Sequence, residues 1–198
     1  MLVLTIDQRA SRREADRIED LLARLATRPE ATRLVRGFER TAGDEVQGLL
    51  DHPDDAVNLA LALVREGHWY VGVGVGQVRT PIPASVRAAS GPAFVNARTA
   101  VERAKSTVAR LAVIGPDPDT AEDAQALLAL LGAVVHRRSR QGWEVVDLMA
   151  EGLAQKEVAQ RLGISPQAVS QRLRAALWNE ERRVRPIASR LLREADRS

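Results

Sequence analysis

The chain has 198 residues and a formal net charge of +3, and 45% of its residues are hydrophobic, which is typical of a globular protein that buries real cores. It contains no cysteine, which excludes disulfides and thiolate metal sites and leads us to expect a cytoplasmic protein. No apolar run approaches the ~20 residues of a membrane-spanning helix, so no membrane partner is predicted.

Charge is distributed unevenly along the chain. Residues 137–198 contain 13 Lys+Arg and 8 Asp+Glu, a net charge of +5, whereas residues 1–136 contain 16 and 18, a net charge of −2. A basic end joined to a slightly acidic body indicates an anionic partner for the C-terminal part. A solvated helical surface would give the same composition, so charge alone does not distinguish it from a binding surface.

The N-terminal part alternates between strand and helix patterns. Five short segments have the apolar pattern of β-strands, at residues 2–6, 34–38, 45–50, 69–78 and 109–114. Three segments have the spacing of helices, at about residues 10–27, 53–67 and 92–106. The resulting order β-α-β-β-α-β-α-β is the ferredoxin-like pattern with an added helix and strand. Glycines alternate through W-Y-V-G-V-G-V-G, which requires the close approach of a helix or a ligand.

The predicted organisation is an α+β chain with two domains. A ferredoxin-like domain is expected at residues 1–117, because G-P-D-P-D at 115–119 is the clearest break in the pattern. A helical linker follows at 118–140, and an all-α helix-turn-helix domain is expected at 141–198.

The strongest local signal lies at residues 152–176, G-L-A-Q-K-E-V-A-Q-R-L-G-I-S-P-Q-A-V-S-Q-R-L-R-A-A. Ala159 is small where two helices must cross, Gly163 suits a left-handed turn, and Ser165 followed by Pro166 is typical of a helix start. This spacing predicts a DNA-binding helix-turn-helix, with an ordinary helical hairpin as the alternative. Residues 143–177 also resemble the helix-turn-helix of LuxR-type regulators and of sigma-factor region 4.

The predicted partner of this segment is double-stranded DNA. Four side chains of the second helix are predicted to face the bases of the major groove, namely Gln167, Ser170, Gln171 and Arg174. Three basic side chains are better placed for phosphates, namely Lys156, Arg161 and Arg172. After Trp178 an apolar stripe continues to Leu192, and this stripe either packs on its own domain or forms a dimer contact. We expect a homodimer, because two recognition helices could then read two half-sites.

Two carboxylates stand out in the N-terminal part. Asp7 ends the first strand, and Asp44 lies at the tip of the turn in R-T-A-G-D-E-V-Q-G (40–48). In a ferredoxin-like sheet the first strand lies beside this hairpin, so the two carboxylates could meet at one edge, as a hard cation requires. Each residue also has an ordinary use, as a helix cap or a turn residue.

Several short segments together resemble known nucleotide enzymes. Asp7, A-G-D-E-V (42–46), V-G-V-G-V-G (71–76) and A-V-E-R-A-K (100–105) resemble the catalytic domains of class III nucleotide cyclases and GGDEF diguanylate cyclases. The whole arrangement, ending in a helix-turn-helix, resembles the SatD family. The resemblance implies that Asp7 and Asp44 bind Mg²⁺ together with a nucleotide. It implies a nucleotide site formed by Asp7, Asp44, Glu45, Asn96 and Lys105.

The resemblance is incomplete at the positions that drive catalysis. Cyclases have an arginine four residues after the asparagine that corresponds to Asn96, whereas this chain has Ala100 there. GGDEF enzymes have an arginine four residues after the lysine that corresponds to Lys105, whereas this chain has Ala109. Since groups that stabilise the transition state are missing, no catalytic residue is predicted. We expect a DNA-binding transcriptional regulator with a degenerate cyclase-like domain for sensing or dimerisation. The alternatives are an active nucleotidyl cyclase and an adaptor whose helix-turn-helix binds protein.

Overall fold

The computed structural model describes residues 1–11 and 13–196, which form a mixed α+β structure. Its five strands are β1 (Leu2–Gln8), β2 (Arg36–Ala42), β3 (Glu45–Leu50), β4 (Trp69–Val75) and β5 (Leu111–Ile114). The eight α-helices of the described residues are α1 (Ile18–Ala26), α2 (Pro53–Glu66), α3 (Pro92–Ala104), α4 (Pro118–Arg137), α5 (Arg140–Ala150), α6 (Gln155–Leu162), α7 (Pro166–Ala175) and α8 (Trp178–Glu194).

The strands form one sheet in the order β2-β3-β1-β4-β5, with β1 in the centre. Strand β1 is antiparallel to both β3 and β4, and β2 is antiparallel to β3. Strand β5 pairs in parallel with β4, which the crossover through α3 permits. In this register Asp7 lies opposite Glu45 on one side and Tyr70 on the other, so the end of β1 lies beside the β2–β3 turn.

The alternating valines and glycines of β4 separate the two faces of the sheet. Val71, Val73 and Val75 are buried in the main core with α2, α4 and α8. On the opposite face α3 lies directly on the glycines: a Cβ at Gly74 would be 2.1 Å from the backbone nitrogen of Ala97. The neighbour required by the glycine pattern is therefore a helix.

The first helix begins later than the sequence pattern predicts, at Ile18 instead of about residue 10. The side chain of Gln8 holds part of the preceding loop, because its Nε2 donates to the carbonyl of Ala15 at 2.7 Å and its Oε1 accepts from the N–H of Arg17 at 2.9 Å. Asp16 then accepts from the N–H of Ile18 at 2.9 Å. These bonds satisfy the backbone in a loop, and the helix begins after them.

Strand β2 also differs from its predicted bounds. The sequence pattern predicts residues 34–38, whereas the strand spans Arg36–Ala42 and follows a 3₁₀ turn at Pro29–Arg33. Its polar second half pairs with β3, and Gly43 turns the chain with a φ of 54°. Strand pairing thus extends past the apolar residues that signal it.

Helices α5, α6 and α7 share a small core that includes Val145, Val158, Val169 and Leu173. The following helix, α8, leaves this group and packs on α2 and α4, where Ala188 and Leu192 belong to the main core. Most of the apolar stripe predicted on this helix therefore contacts the sheet side of the molecule, and Ile187 is exposed.

A buried ion-pair network joins α8 to α2 and to the junction between α4 and α5. Arg138, between α4 and α5, donates to the carboxylate of Glu181 at 2.7 Å and to the carbonyl of Ala176 at 2.9 Å. The side chains of Arg138 and Glu181 are 1% and 0% exposed. Glu181 also pairs with Arg185, which donates to Asn58 of α2 at 2.7 Å. Removing one partner of a buried ion pair is strongly destabilising, because the other charge is left uncompensated.

Candidate functional site

Asp7, Asp44 and Lys105 come together at the end of the sheet where β1 meets the β2–β3 turn. They line an open cleft of about 860 Å³, here called the Asp7 cleft, with Arg9 and Tyr70 also on its wall. The Nζ of Lys105 lies 3.3 Å from Oδ2 of Asp7, and it donates to Glu102 at 2.8 Å. Three of the residues implied by the cyclase resemblance therefore share one site.

The electrostatics of this cleft are unusual for a surface. Burial raises the pKa of Asp7 above its ordinary value, Asp44 adds to the effect, and Lys105 opposes it. Burial disfavours the charge of Lys105, but its hydrogen bonds to Glu102 and Asp7 outweigh this and raise its pKa. A carboxylate held at a cost in free energy is a frequent property of binding sites.

Glu45 and Asn96 lie outside this cluster. Glu45 neighbours Asp7 across the strands, but its carboxylate accepts from the hydroxyl of Thr41 at 2.8 Å and lies 3.5 Å from Arg98. Asn96 donates to the carbonyl of Val75 at 2.8 Å, which is at the opposite end of β4 from Tyr70. The structure thus places Asn96 at the other end of the sheet from Asp7.

The carboxylates of the Asp7 cleft are too few to hold a metal ion without further ligands from a bound molecule. Among residues 1–11 and 13–196 no group of three or more His, Cys, Asp or Glu side chains could hold a metal ion. Asp7 and Asp44 supply two carboxylates, and Mg²⁺ bound by so few protein ligands takes its remaining oxygens from phosphates and water. The pair therefore fits Mg²⁺ that arrives with a nucleotide.

The position at which cyclases have a catalytic arginine, Ala100 in this chain, is also inaccessible to solvent in the structure. Ala100 is fully buried in a cluster with Ala104 and Ala112, between α3 and β5. A charged side chain at this position would be buried without solvent. The arginine used by cyclases therefore has no counterpart at Ala100, and the nearby Arg98 faces Glu45.

Replacing Asp7 with asparagine is expected to raise the melting temperature at pH 7, by an amount that shrinks as the pH falls toward 4. Because the folded-state pKa of Asp7 lies above its unfolded value of 3.8, ionisation costs stability as the pH rises through the folded pKa, and asparagine cannot ionise. The measurement is thermal unfolding of both proteins from pH 4 to 8. The exposed Asp123→Asn on α4 is the control, and a difference between Asp7→Asn and wild type that is independent of pH would contradict the expectation.

A second candidate surface is the outer face of α7. Local signals position this helix: Gly163 has a left-handed φ of 63°, and the hydroxyl of Ser165 accepts from the N–H of Ala168 at 3.1 Å. Val169 and Leu173 are buried beneath it. Three side chains are exposed on its outer face and have no hydrogen-bond partner within the described part of the chain, namely Gln167, Gln171 and Arg174.

The remaining side chains predicted to contact DNA differ in their exposure and in whether a carboxylate already pairs with them. Ser170 is half-buried at the margin of the face. Lys156 is exposed at the start of α6, and Arg161 lies 3.9 Å from Glu151. Arg172 is only partly exposed and lies 3.3 Å from Glu144 of α5. Arg172 therefore already has a carboxylate partner, and Lys156 and Arg161 are better available for phosphates.

Sequence reasoning missed a third site, between α2, α5 and α8. It is a cleft of about 540 Å³, here called the arginine cleft, whose wall includes Arg28, Arg65, Arg138, Arg182, Arg185, Trp143 and Trp178. These residues are far apart in the sequence, and they follow no local motif. The usable signal was weak: two of the three tryptophans of the chain fall within the basic C-terminal part.

Comparison with known proteins identifies one family. The family model described as the SatD family matches residues 4–192, which include nearly all of the sheet and of α8. No curated protein and no solved structure matches the chain. Within the described residues, every helix is too short or too polar to cross a membrane.

Proposed function

We propose that this chain, which belongs to the SatD family, is a DNA-binding transcriptional regulator in which α6 and α7 form a helix-turn-helix. One observation carries the proposal: Gln167, Gln171 and Arg174 project together from α7 and have no partner among the residues described. Glutamine pairs with adenine and arginine with guanine in the major groove, so this face offers the chemistry of base recognition.

The surroundings of α7 support this use. A helix that reads the major groove needs a rigid base, and Val158, Val169 and Leu173 provide one beneath α6 and α7. Lys156 and Arg161 flank the same segment and are exposed, which suits contacts with the phosphate backbone. On this proposal Arg172 acts mainly through Glu144, to fix α7 on α5.

We assign the N-terminal residues 1–117 to a degenerate cyclase-like domain of ferredoxin-like topology. The antiparallel order β2-β3-β1-β4, with α1 and α2 as crossovers, supports that assignment. The all-α part at 141–198 follows a helical linker at 118–140, and its last helix packs on α2 and α4. In this arrangement the protein acts in the cytoplasm as a homodimer that presents two recognition helices.

The Asp7 cleft is proposed to sense a nucleotide rather than to convert one. Asp7 and Asp44 would hold Mg²⁺ on the phosphates, and Lys105 would contact a phosphate oxygen directly. The buried Ala100 and the distant Asn96 argue against turnover. Cyclic or linear nucleotide product from a nucleoside triphosphate would instead favour the active cyclase.

Replacing both Gln171 and Arg174 with alanine is expected to weaken specific duplex binding by about 30- to 100-fold at fixed salt, because two base contacts are lost. The measurement is fluorescence anisotropy on duplexes that the wild-type protein has selected from a random pool. Lys156→Ala is expected to weaken binding on all duplexes alike and to reduce the salt slope by about one.

The matched control for the loss of charge is Arg190→Ala, on the exposed side of α8, which should leave affinity unchanged. Unchanged binding by the double variant would contradict the role of α7. If the wild-type protein selects no duplex and shows no salt-dependent DNA binding, the adaptor that binds protein through the same helices is favoured instead.

A further inference from the structure

We propose that the arginine cleft binds a ligand through a phosphate or pyrophosphate group. The site goes beyond the proposed DNA contacts and is separate from the Asp7 cleft, since it shares no lining residue with that cleft or with the outer face of α7. Its volume of about 540 Å³ falls within the range of sites for small molecules.

The guanidinium groups of the cleft are held in place before any ligand arrives. Arg65 lies 3.6 Å and Arg138 lies 4.2 Å from the ring centre of Trp143. Arg65 also donates two hydrogen bonds to Asp147, at 2.6 and 2.7 Å. Arginine fixed in this way loses little entropy when it binds an oxyanion, and the N–H groups that Asp147 leaves free can donate to phosphate oxygens.

The charge of the cleft is positive after its ion pairs are counted. Five arginines line it, and three carboxylates pair with them: Asp147 with Arg65, Glu30 with Arg28, and Glu181 with both Arg138 and Arg185. Arg182 has no carboxylate partner in the part of the chain that the structure describes. The surplus of two positive charges favours a ligand with negative charge.

Two residues that line the cleft carry buried donors that point to the same chemistry. Nη1 of Arg138 and Nε1 of Trp178 are inaccessible to solvent and have no hydrogen-bond partner among residues 1–11 and 13–196. The Arg138 side chain is 1% exposed and Trp178 is 8% exposed. Buried polar groups are nearly always hydrogen-bonded, so both donors are suited to an acceptor oxygen brought by a ligand after a small adjustment of the wall.

The test uses inorganic pyrophosphate without metal or DNA, titrated into the full chain and followed by tryptophan fluorescence. Trp143 and Trp178 line the cleft and Trp69 does not, so a saturable change is expected. Arg182→Gln should weaken binding about 10-fold, as loss of one charged hydrogen bond does. Arg183→Gln, the exposed neighbour outside the cleft, is the matched control and should bind like wild type, and both variants should melt like wild type.

Three results would overturn the proposal. The first is the absence of saturable binding by the wild-type protein. The second is an equal loss in Arg182→Gln and Arg183→Gln, which would indicate general attraction to a basic surface. The third is loss of pyrophosphate binding in Lys105→Gln, which would place the anion in the Asp7 cleft. Because no DNA is present, these outcomes are independent of whether α7 reads a duplex.

Discussion

Replacement of Gly74 by alanine should lower the free energy of unfolding by about 3 kcal/mol, because overpacking a close contact costs this much. The new Cβ would lie 2.1 Å from the nitrogen of Ala97 and 2.2 Å from the carbonyl oxygen of Ala93. Both are backbone atoms of α3, so no side chain can rotate away and the helix itself must move off the sheet. The measurement is equilibrium unfolding in urea.

Gly37→Ala is the matched control for Gly74→Ala. Gly37 also lies in a strand, but a Cβ at that position meets no atom within 4 Å. Its replacement should change the free energy of unfolding by no more than about 0.5 kcal/mol. Equal effects of the two substitutions would show that α3 does not lie as close to β4 as described.

Replacement of Glu181 by glutamine should cost about 3–5 kcal/mol, the usual loss when one partner of a buried ion pair is removed. Glutamine keeps the shape of the side chain but removes its charge. The buried Arg138 then keeps its positive charge among α4, α5 and α8, and Arg185 loses its carboxylate as well. The measurement is again urea unfolding, at a fixed pH near 7.

Glu180→Gln serves as the control, because Glu180 is the exposed neighbour on the same turn of α8. It should change the free energy of unfolding by less than about 0.5 kcal/mol. A small effect of Glu181→Gln would mean that Arg138 finds another acceptor, and the network would then not join the helices as its geometry indicates.

The parts of the structure that the sequence predicted well depend on short-range signals. The turn between α6 and α7 follows from Gly163, Ser165 and Pro166, whose preferences act within four residues and need no distant partner. Strand β4 follows from strict alternation, since the period of two is itself the signature of a strand with two different faces.

The parts that could not be predicted depend on distant contacts. The late start of α1 follows hydrogen bonds that the side chain of Gln8 in β1 donates to Ala15 and accepts from Arg17, and no helical periodicity reports them. Asn96 and Asp7 are grouped by a family resemblance, yet the register of β1 and β4 places them at opposite ends of the sheet. The arginine cleft consists of side chains that are distant in the sequence, so no local pattern predicts it.

The position of α8 has a consequence for the order of folding. Ala188 and Leu192 complete the hydrophobic core beneath a sheet whose central strand begins at Leu2. During synthesis the main core cannot be completed before the last helix is made, whereas the core of α5, α6 and α7 needs only contacts among residues about 140–178. Since local contacts form sooner than distant ones, we expect the three short helices to fold first. The segment made late would then be the first to reach its final structure, reversing the order in which domains usually fold during synthesis.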